Sequence, residues 1–206
     1  VGCGVTTGWG SAVYAAEVRP GDNVAVIGVG GIGASAIQGA RLAGAEMIFA
    51  IDPVELKRTL APTFGATHVA ASVDEAFALV QQETWGRMCD KVICAMGVGS
   101  GAMMESILGL TAKRGRVVVT NIHPMEERDV TMNLMYLTIL EKQVVGSIFG
   151  SANIHSDIPK LLKLYREGQL DLDSMITNTY KLGDINQGYQ DMRDGKNIRG
   201  VLLYDS

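Results

Sequence analysis

The sequence has little that would bind a polyanion or cross a membrane. Lys and Arg number 18 against 22 Asp and Glu, a net charge of −4, so nucleic acid is not an expected partner. Every apolar run is shorter than the roughly 20 residues that span a bilayer, and no export signal opens the chain. We therefore expect a cytoplasmic protein with no membrane partner.

Cysteine is scarce and shows no paired spacing. Cys3, Cys89 and Cys94 are odd in number and form no CxxC motif, which suits a reducing compartment better than a disulfide framework. The chain also lacks an initial Met, because it opens VGCGVTTGWG, with a cysteine between glycines ahead of a predicted Thr-Thr-Gly turn. We expect this opening to be the interior of a longer protein.

Short β-rich runs alternate with stretches of helical periodicity. Strands are predicted at 23–27, 47–51, 68–71, 91–95 and 116–121, and helices at 32–44, 53–64, 73–84 and 101–112. Strands separated by helices of this length predict a parallel sheet covered on both faces, an α/β doubly wound fold. With 206 residues, 47% of them hydrophobic, the chain can bury one substantial core and part of a second.

The segment VAVIGVGGIG, residues 24–33, carries the pattern GxGxxG between a predicted strand and a predicted helix. In that context Gly28 permits a tight turn, Gly30 leaves room for a pyrophosphate against the backbone, and Gly33 lets helix and strand pack closely. The helix N-terminus then offers N–H groups and a positive dipole end to the phosphates. The pattern predicts a dinucleotide site, with turn and packing glycines as the alternative.

An acidic residue stands where such a site needs one. Asp52 ends the second predicted strand, about 20 residues beyond the last glycine. Its carboxylate can accept both ribose hydroxyls of an adenosine and would repel a 2′-phosphate, so NAD is favoured over NADP. Pro53 follows in place of a basic residue, and Lys57, one helical turn on, can reach the ribose edge. The alternative is that Asp52 serves as the N-cap of the next helix.

The histidines and the two later cysteines are not spaced as the ligands of a metal site are. They are His68, His123, His155, Cys89 and Cys94. Cys94 lies inside a predicted strand, and we expect a structural role for it and for Cys89. His123 follows a predicted strand end, on the side where open α/β sheets bind ligands. From the residues alone, Cys3 is a single thiol with no ligand partner nearby in the sequence.

Several linked motifs carry a family resemblance. The runs GCGVTTGWGSA, RPGDNVAVIGVGGIG and AID resemble the junction and coenzyme domain of the medium-chain zinc-dependent alcohol dehydrogenases. The stretches QVVGSIFGSANIHSDIPKLLKLYREGQLDLDSMIT and DGKNIRGVLLY are similar to the C-terminal part of the same family. The resemblance covers the whole chain and is closest to the actinobacterial branch assayed with nitrosodimethylaniline as electron acceptor.

The resemblance implies two units. Residues 1–150 would form a Rossmann dinucleotide-binding domain. Residues 151–206 would be the C-terminal portion of an incomplete GroES-like substrate domain, with helices at 156–167 and 184–193 and strands at 176–180 and 200–204. It also implies that Cys3 is the third protein ligand of a catalytic zinc, whose other ligands, a cysteine and a histidine, precede this chain. Zinc is therefore expected in the intact enzyme only.

Further cofactor contacts follow from the resemblance. The matching residues are Thr7 and Ile32 beside the nicotinamide, Thr120 and Phe149 at its carboxamide, Gly31 within the glycine turn, and Arg199 at the pyrophosphate. For Arg199 the alternative is a solvated arginine in a turn, because a single basic residue says little by itself.

The activity that the resemblance implies for the intact enzyme is hydride transfer from a small alcohol to NAD, with zinc as the Lewis acid. A formaldehyde or thiol-adduct dehydrogenase of the same superfamily is one alternative. A non-catalytic NAD-binding module, for these 206 residues alone, is another. The apolar runs 117–122 and 143–149 match edge strands that pair across a dimer in the family, so we expect a homodimer.

Overall fold

The computed structural model describes residues 1–204. The helices are α1 Gly4–Gly10, α2 Gly31–Leu42, α3 Glu55–Phe64, α4 Val73–Glu83, α5 Met104–Leu110, α6 Leu134–Ile139, α7 Ile154–Arg166 and α8 Ile185–Arg193. The strands are β1 Asn23–Ile27, β2 Met47–Ile51, β3 His68–Ala70, β4 Cys89–Cys94, β5 Thr111–Val119, β6 Gln143–Gly146, β7 Ile176–Lys181 and β8 Arg199–Leu203. Within residues 1–204, no helix combines the length and hydropathy needed to cross a membrane.

Six strands of the described chain form one parallel sheet in the order β3-β2-β1-β4-β5-β6. Strand β1 pairs with β2 on one side and with β4 on the other, so that Val24 lies between Ile48 and Lys91. The order reverses between β1 and β4, and doubly wound sheets bind ligands in the crevice outside the carboxyl ends of such strands. The predicted α/β doubly wound fold is confirmed, with the strand order of a Rossmann domain.

Side chains of the central strands alternate between two cores, one on each face of the sheet. From β1, Val24 and Val26 enter the core that Ile37 of α2 completes, whereas Ala25 and Ile27 enter the opposite core. Because both faces are buried under helices, these strands are apolar at consecutive positions rather than at alternate ones.

The two cysteines of β4 are structural, as predicted. Cys89 and Cys94 are buried in the second core as free thiols. Burial raises the pKa of both, and that of Cys94 reaches about 12. Neither thiol is therefore ionised near neutral pH, as expected of core residues.

The predicted Thr-Thr-Gly turn is wrong, because these residues lie in α1, which continues as one turn of π-helix, Ser11–Ala15 (the π turn). Helix α1 packs closely on α2. A Cβ at Gly8 would collide with the backbone of Ile32, and a Cβ at Gly39 would lie 3.1 Å from the Cα of Trp9. The glycines of this stretch therefore serve the approach of two helices.

The predicted helix 101–112 is wrong at its C-terminal end, since α5 ends at Leu110 and Ala112 already belongs to β5. The register of β5 against β4 then jumps between the pairs Cys89–Thr111 and Lys91–Arg116. Helix α6 was not predicted at all. Its apolar residues are mostly exposed, so they follow no amphipathic pattern that the sequence could reveal.

The predicted elements after residue 150 are confirmed within about two residues. Leu161 of α7 and Ile198 next to β8 are buried in the first core, together with Leu170 and Met175 between them. Over the described residues, β7 and β8 form a separate parallel sheet of two strands, which α8 contacts. The segment thus packs on the Rossmann core while adding no strand to its sheet.

Candidate functional site

The glycine turn joins β1 to α2 at the point where the strand order reverses. At two of its positions, a side chain larger than that of glycine would collide with the backbone. Gly28 has φ +91°, and a Cβ there would lie 2.7 Å from the backbone of Met96 after β4. A Cβ at Gly33 would collide with the carbonyl oxygen of Gly28, so this glycine sets the distance between helix and strand. Turn and packing roles are thus real for Gly28 and Gly33.

At Gly30, by contrast, no contact within the described chain requires a glycine. Its φ of −81° and ψ of −167° suit any residue, and a Cβ there would meet no atom of residues 1–204 within 4 Å. The open space lies directly before Gly31, the first residue of α2. A helix N-terminus with unobstructed backbone beside it is a binding site for phosphate. The dinucleotide interpretation explains Gly30, whereas the turn-and-packing alternative does not.

Asp52 is buried at the end of β2 and faces the glycine turn. Its Oδ2 accepts a hydrogen bond from the backbone N–H of Val29 (2.8 Å), and its Oδ1 accepts one from the N–H of Val54 (2.9 Å). Helix α3 begins at Glu55 with Val54 in the N-cap position, so Asp52 is not its N-cap. A carboxylate oxygen can accept two hydrogen bonds, so each oxygen of Asp52 keeps capacity for a ribose hydroxyl.

Two basic side chains lie beside Asp52. Lys57 Nζ is 3.7 Å from Asp52 Oδ2, as its predicted position at the ribose edge requires. Arg58, which the sequence analysis did not single out, donates from Nη1 to the carbonyl oxygens of Asp52 (2.8 Å) and Pro53 (2.7 Å). The guanidinium thereby fixes the backbone that carries the acid.

Arg199 comes to the glycine turn from the far end of the chain. It is an exposed residue, the first of β8, and its guanidinium lies against Gly4 of α1 and Gly31 of α2, where a Cβ at either glycine would collide with it. A positive charge at the start of α2 opposes the helix dipole, and an anion bound between them would be attracted by both. This placement fits a pyrophosphate contact better than a solvated turn.

A second group of predicted residues meets at the ends of β5 and β6. Ser11 Oγ donates to the carbonyl oxygen of Thr7 (2.7 Å) and lies 2.9 Å from Thr120 Oγ1. Gly150, at the 3₁₀ turn Phe149–Ser151, packs against the Thr7 carbonyl and the backbone of Gly10. Thr7, Thr120 and Phe149 are therefore brought together although they lie far apart in the sequence.

The backbone at Phe149 is unusual. Phe149, Gly150 and Ser151 have φ of 50°, 68° and 58°, so three successive residues lie in the left-handed region. For Phe149 and Ser151 this conformation is costly and persists only where surrounding contacts impose it. Phe149 is 46% exposed, so part of the residue is accessible to a ligand.

Comparison with known proteins identifies the family. Residues 31–167 match the family model described as zinc-binding dehydrogenase. The chain belongs to this family. It is 53% identical to alcohol dehydrogenase B of Mycobacterium tuberculosis over 99% of its length and 54% of that protein's. It is 47% identical to the NDMA-dependent alcohol dehydrogenase of Amycolatopsis methanolica over 100% and 56%. The chain spans about half the length of the curated relatives it matches.

Solved structures of the zinc-binding dehydrogenase family agree with the fold. Benzyl alcohol dehydrogenase from Acinetobacter calcoaceticus is 27% identical and superimposes with a TM-score of 0.91, covering 99% of this chain and 55% of that one. The resemblance expected from the sequence motifs is confirmed, and so is the Rossmann fold that it implied.

The zinc that the family name implies does not fit the donors present. Cys3 is exposed at the start of α1. Among residues 1–204, no three His, Cys, Asp or Glu side chains come close enough together to hold a metal ion. A catalytic zinc takes three protein ligands and keeps one position open. The described chain by itself therefore does not form the zinc site of this family.

His123 lies in the loop after β5, on the ligand side of the sheet as predicted. Its Nδ1 is 3.6 Å from Glu127 Oε2, and its Nε2 is 3.1 Å from Asn121 Nδ2. Glu127 in turn accepts hydrogen bonds from the N–H of Gly101 (2.8 Å) and from Ser100 Oγ (3.0 Å), which lower the pKa of its carboxyl. Glu127 thus ties the β5–α6 loop to the turn that precedes α5, while the two polar contacts of His123 lie within the loop itself.

Proposed function

We propose that the chain is the coenzyme-binding part of an NAD-dependent alcohol dehydrogenase. The observation that supports this most directly is the open space at Gly30, next to the first residue of α2 and the Arg199 guanidinium that lies against it. The relatives that share 53% and 47% identity carry alcohol dehydrogenase names, which favours an alcohol over the thiol adduct as substrate. The reaction converts alcohol and NAD⁺ to aldehyde, NADH and a proton.

Each residue would act on one part of the coenzyme, and when bound NAD supplies the ring that accepts the hydride. The pyrophosphate would be held by the backbone at Gly30 and Gly31 and by the Arg199 side chain. The adenosine ribose would be bound by Asp52 and Lys57. The nicotinamide would lie against Thr7 and Ile32, and its carboxamide would be bound by the backbones of Thr120 and Phe149. Because Asp52 is fixed from both oxygens, its carboxylate is preorganised for the ribose hydroxyls.

The parts of the protein proposed around the coenzyme are two domains and a zinc site. We assign residues 1–150 to the dinucleotide domain and 151–206 to the end of a substrate domain, since β7 and β8 form a separate sheet of only two strands in the described chain. Cys3 would provide one zinc ligand, and the others would come from outside the described residues. Taken alone, the 206 residues would be an NAD-binding module. Three free cysteines favour a reducing compartment, the cytoplasm.

Exchanging the acid at the ribose tests the choice of coenzyme. We expect Asp52→Gly combined with Pro53→Arg to weaken NAD binding and to strengthen NADP binding, because the variant loses the ribose acceptor and gains a partner for a 2′-phosphate. Each lost charged hydrogen bond is worth about 1.5–3 kcal/mol. Titration of the purified chain with NADH and NADPH, followed by nicotinamide fluorescence, gives both dissociation constants.

The ratio of the two constants is the informative quantity. Asp52 also binds the N–H groups of Val29 and Val54, so its loss destabilises the turn and lowers both affinities together. A change in ratio reports recognition of the ribose alone. An unchanged ratio in a folded variant would remove Asp52 from the coenzyme site.

We further propose a homodimer through the open edge of β6. The edge strand is flanked by exposed apolar side chains, of which Ile122 and Ile148 are more than three-quarters exposed and Leu134 and Ile139 more than half. An uncovered edge beside an apolar surface is a template for pairing with a second chain.

A proline at the outer side of β6 tests this interface. Ser147 N–H donates to the carbonyl oxygen of Val119 (3.0 Å), so the preceding N–H, that of Gly146, points away from β5. We expect Gly146→Pro to convert the dimer to a monomer and Gly146→Ala to leave it intact, as measured by sedimentation velocity. A monomeric parent chain, or a dimer that tolerates the proline, would contradict the interface.

A further inference from the structure

The π turn Ser11–Ala15 lies beside the predicted nicotinamide end of the site. Its closing bond runs from the N–H of Ala16 to the carbonyl oxygen of Ser11 (2.8 Å). π turns are rare, and they frequently occur at functional sites. Relaxation to an α-helix would shift one side of the turn against the other by one residue, about 1.5 Å and about 100°. The turn therefore needs contacts that hold it.

Three side-chain contacts hold the π turn. Arg116 Nη1 of β5 donates to the carbonyl oxygen of Ala15 (3.0 Å), and the other two lie one near each end. At its start, Ser11 Oγ lies 2.9 Å from Thr120 Oγ1 at the carboxyl end of the sheet. Near its end, Tyr14 Oη donates to Asp157 Oδ1 of α7 (2.7 Å). The contact at Ser11 is part of the candidate site itself. The contact at Tyr14 comes from a residue to which the coenzyme assigns no role.

Asp157 is a buried carboxylate, 2% exposed. Its Oδ1 also accepts from Lys160 Nζ (2.9 Å), and its Oδ2 accepts from the backbone N–H of Asn153 (2.8 Å), the N-cap residue of α7. Burial raises the pKa of this carboxyl, but the hydrogen bonds from Lys160, Tyr14 and the Asn153 backbone outweigh burial and lower it. The side chain is thus an anion with fixed partners.

The same segment carries the left-handed turn at Phe149. Gly150 packs against the Thr7 carbonyl and lies close enough to the N–H of Ser11 that a Cβ would come within 2.7 Å of it. The chain from Phe149 to Asp157 therefore contacts α1 and the π turn at both of its ends. The groups expected to bind the nicotinamide and its carboxamide lie at the first of these contacts, where Thr7 and Thr120 both contact Ser11 and Phe149 precedes Gly150.

We propose that Asp157 and Tyr14 are positioning residues for the nicotinamide half of the coenzyme, holding the π turn so that Thr7, Thr120 and Phe149 face one ligand. This inference rests on the proposed function. The adenosine half is built separately, from the glycine turn and Asp52, whose fixed contacts are local to β1 and β2. Loss of the bond between Tyr14 and Asp157 should therefore affect one end of the ligand only.

The test compares two ligands on one variant. ADP-ribose contains the adenosine, the pyrophosphate and a ribose but no nicotinamide, whereas NADH contains all four. We expect Tyr14→Phe to raise the dissociation constant of NADH by about five- to tenfold, while that of ADP-ribose stays within about twofold. The expected loss is smaller than the full worth of a hydrogen bond to a charged group, because only part of the lost positioning reaches the ligand. Calorimetric titration of the purified chain measures both, and the emission of bound NADH should weaken.

A matched control is available in α7. Tyr165 donates to the Asp173 carboxylate (2.9 Å), and Tyr165→Phe removes a tyrosine–aspartate hydrogen bond away from the π turn. We expect both affinities to be unchanged in this control. Asp157→Asn removes the charge and leaves one acceptor oxygen for three donors, Tyr14 Oη, Lys160 Nζ and the Asn153 N–H, so it should weaken NADH binding at least as much as Tyr14→Phe.

The possible outcomes are distinct. If Tyr14→Phe weakens the binding of NADH and of ADP-ribose equally, the hydrogen bond supports the structure in general, and the inference is overturned. An unchanged affinity for NADH would overturn it as well. If the parent chain binds neither ligand, the proposed function fails, and the inference fails with it.

Discussion

Replacing Gly30 by valine is expected to lower the affinity for NADH by more than tenfold, about 1.4 kcal/mol, while leaving the fold intact. The backbone at Gly30 already has a conformation that valine can adopt, and a Cβ meets no atom of the described chain within 4 Å. The cost therefore falls on the ligand alone, because the branched side chain occupies the space where the pyrophosphate approaches the start of α2. Fluorescence titration measures the affinity, and circular dichroism checks the fold.

Two further glycines calibrate this result. Gly183 lies in the turn before α8, and a Cβ there likewise meets no atom of residues 1–204 within 4 Å, so Gly183→Val should leave NADH affinity and stability nearly unchanged. In Gly33→Val the Cβ would strike the Gly28 carbonyl, so this variant should lose stability as well as binding. Native-like NADH affinity in Gly30→Val would mean that the glycine turn has no role in coenzyme binding.

The 206-residue chain is expected to bind NADH but to carry less than about one zinc per ten molecules and to oxidise no alcohol at a measurable rate. The reason is the number of donors: Cys3 is exposed, and residues 1–204 bring no three metal-ligand side chains together. A single thiolate does not hold zinc against buffer, since catalytic sites use three protein ligands. Elemental analysis and an alcohol oxidation assay on the same sample measure both quantities.

The converse experiment places the same residues behind an N-terminal half supplied by a relative of full length. There Cys3 should complete a zinc site, and Cys3→Ala should abolish turnover, while Cys89→Ala, a buried thiol in the second core, should cost stability and leave zinc in place. Stoichiometric zinc and turnover in the 206-residue chain alone would contradict the proposal that these residues need a further part of the protein.

The adenosine half of the site could be predicted from the sequence because its determinants are local. A strand, three spaced glycines and an acid at the end of the next strand lie within 30 residues of one another, and the β1–β2 pairing brings Val29 to Asp52. What the sequence did not reveal is that Asp52 also holds the turn in place. That contact depends on the direction of one side chain, which the residue pattern does not specify.

The start of the chain was misinterpreted for a physical reason. Glycines near threonines are typical of turns. Here, however, glycine is required because Ile32 of α2 packs directly on Gly8, and Gly150 packs directly on Gly10. Such close approaches are tertiary, and so are the contacts of Tyr14 and Asp157, which lie 143 positions apart. Neither leaves a periodic signal in a single sequence.

The separations within the site also set the order in which it can form. The bond from Val29 to Asp52 spans 23 positions, whereas the contact between Ser11 and Thr120 spans 109 and the bond between the π turn and α7 spans 143. Closing a longer loop costs more entropy, and synthesis delivers the N-terminal residues first. On the ribosome, the residues proposed to contact adenosine could therefore come together early, and those proposed to contact the nicotinamide would be held in place only after α7 has emerged.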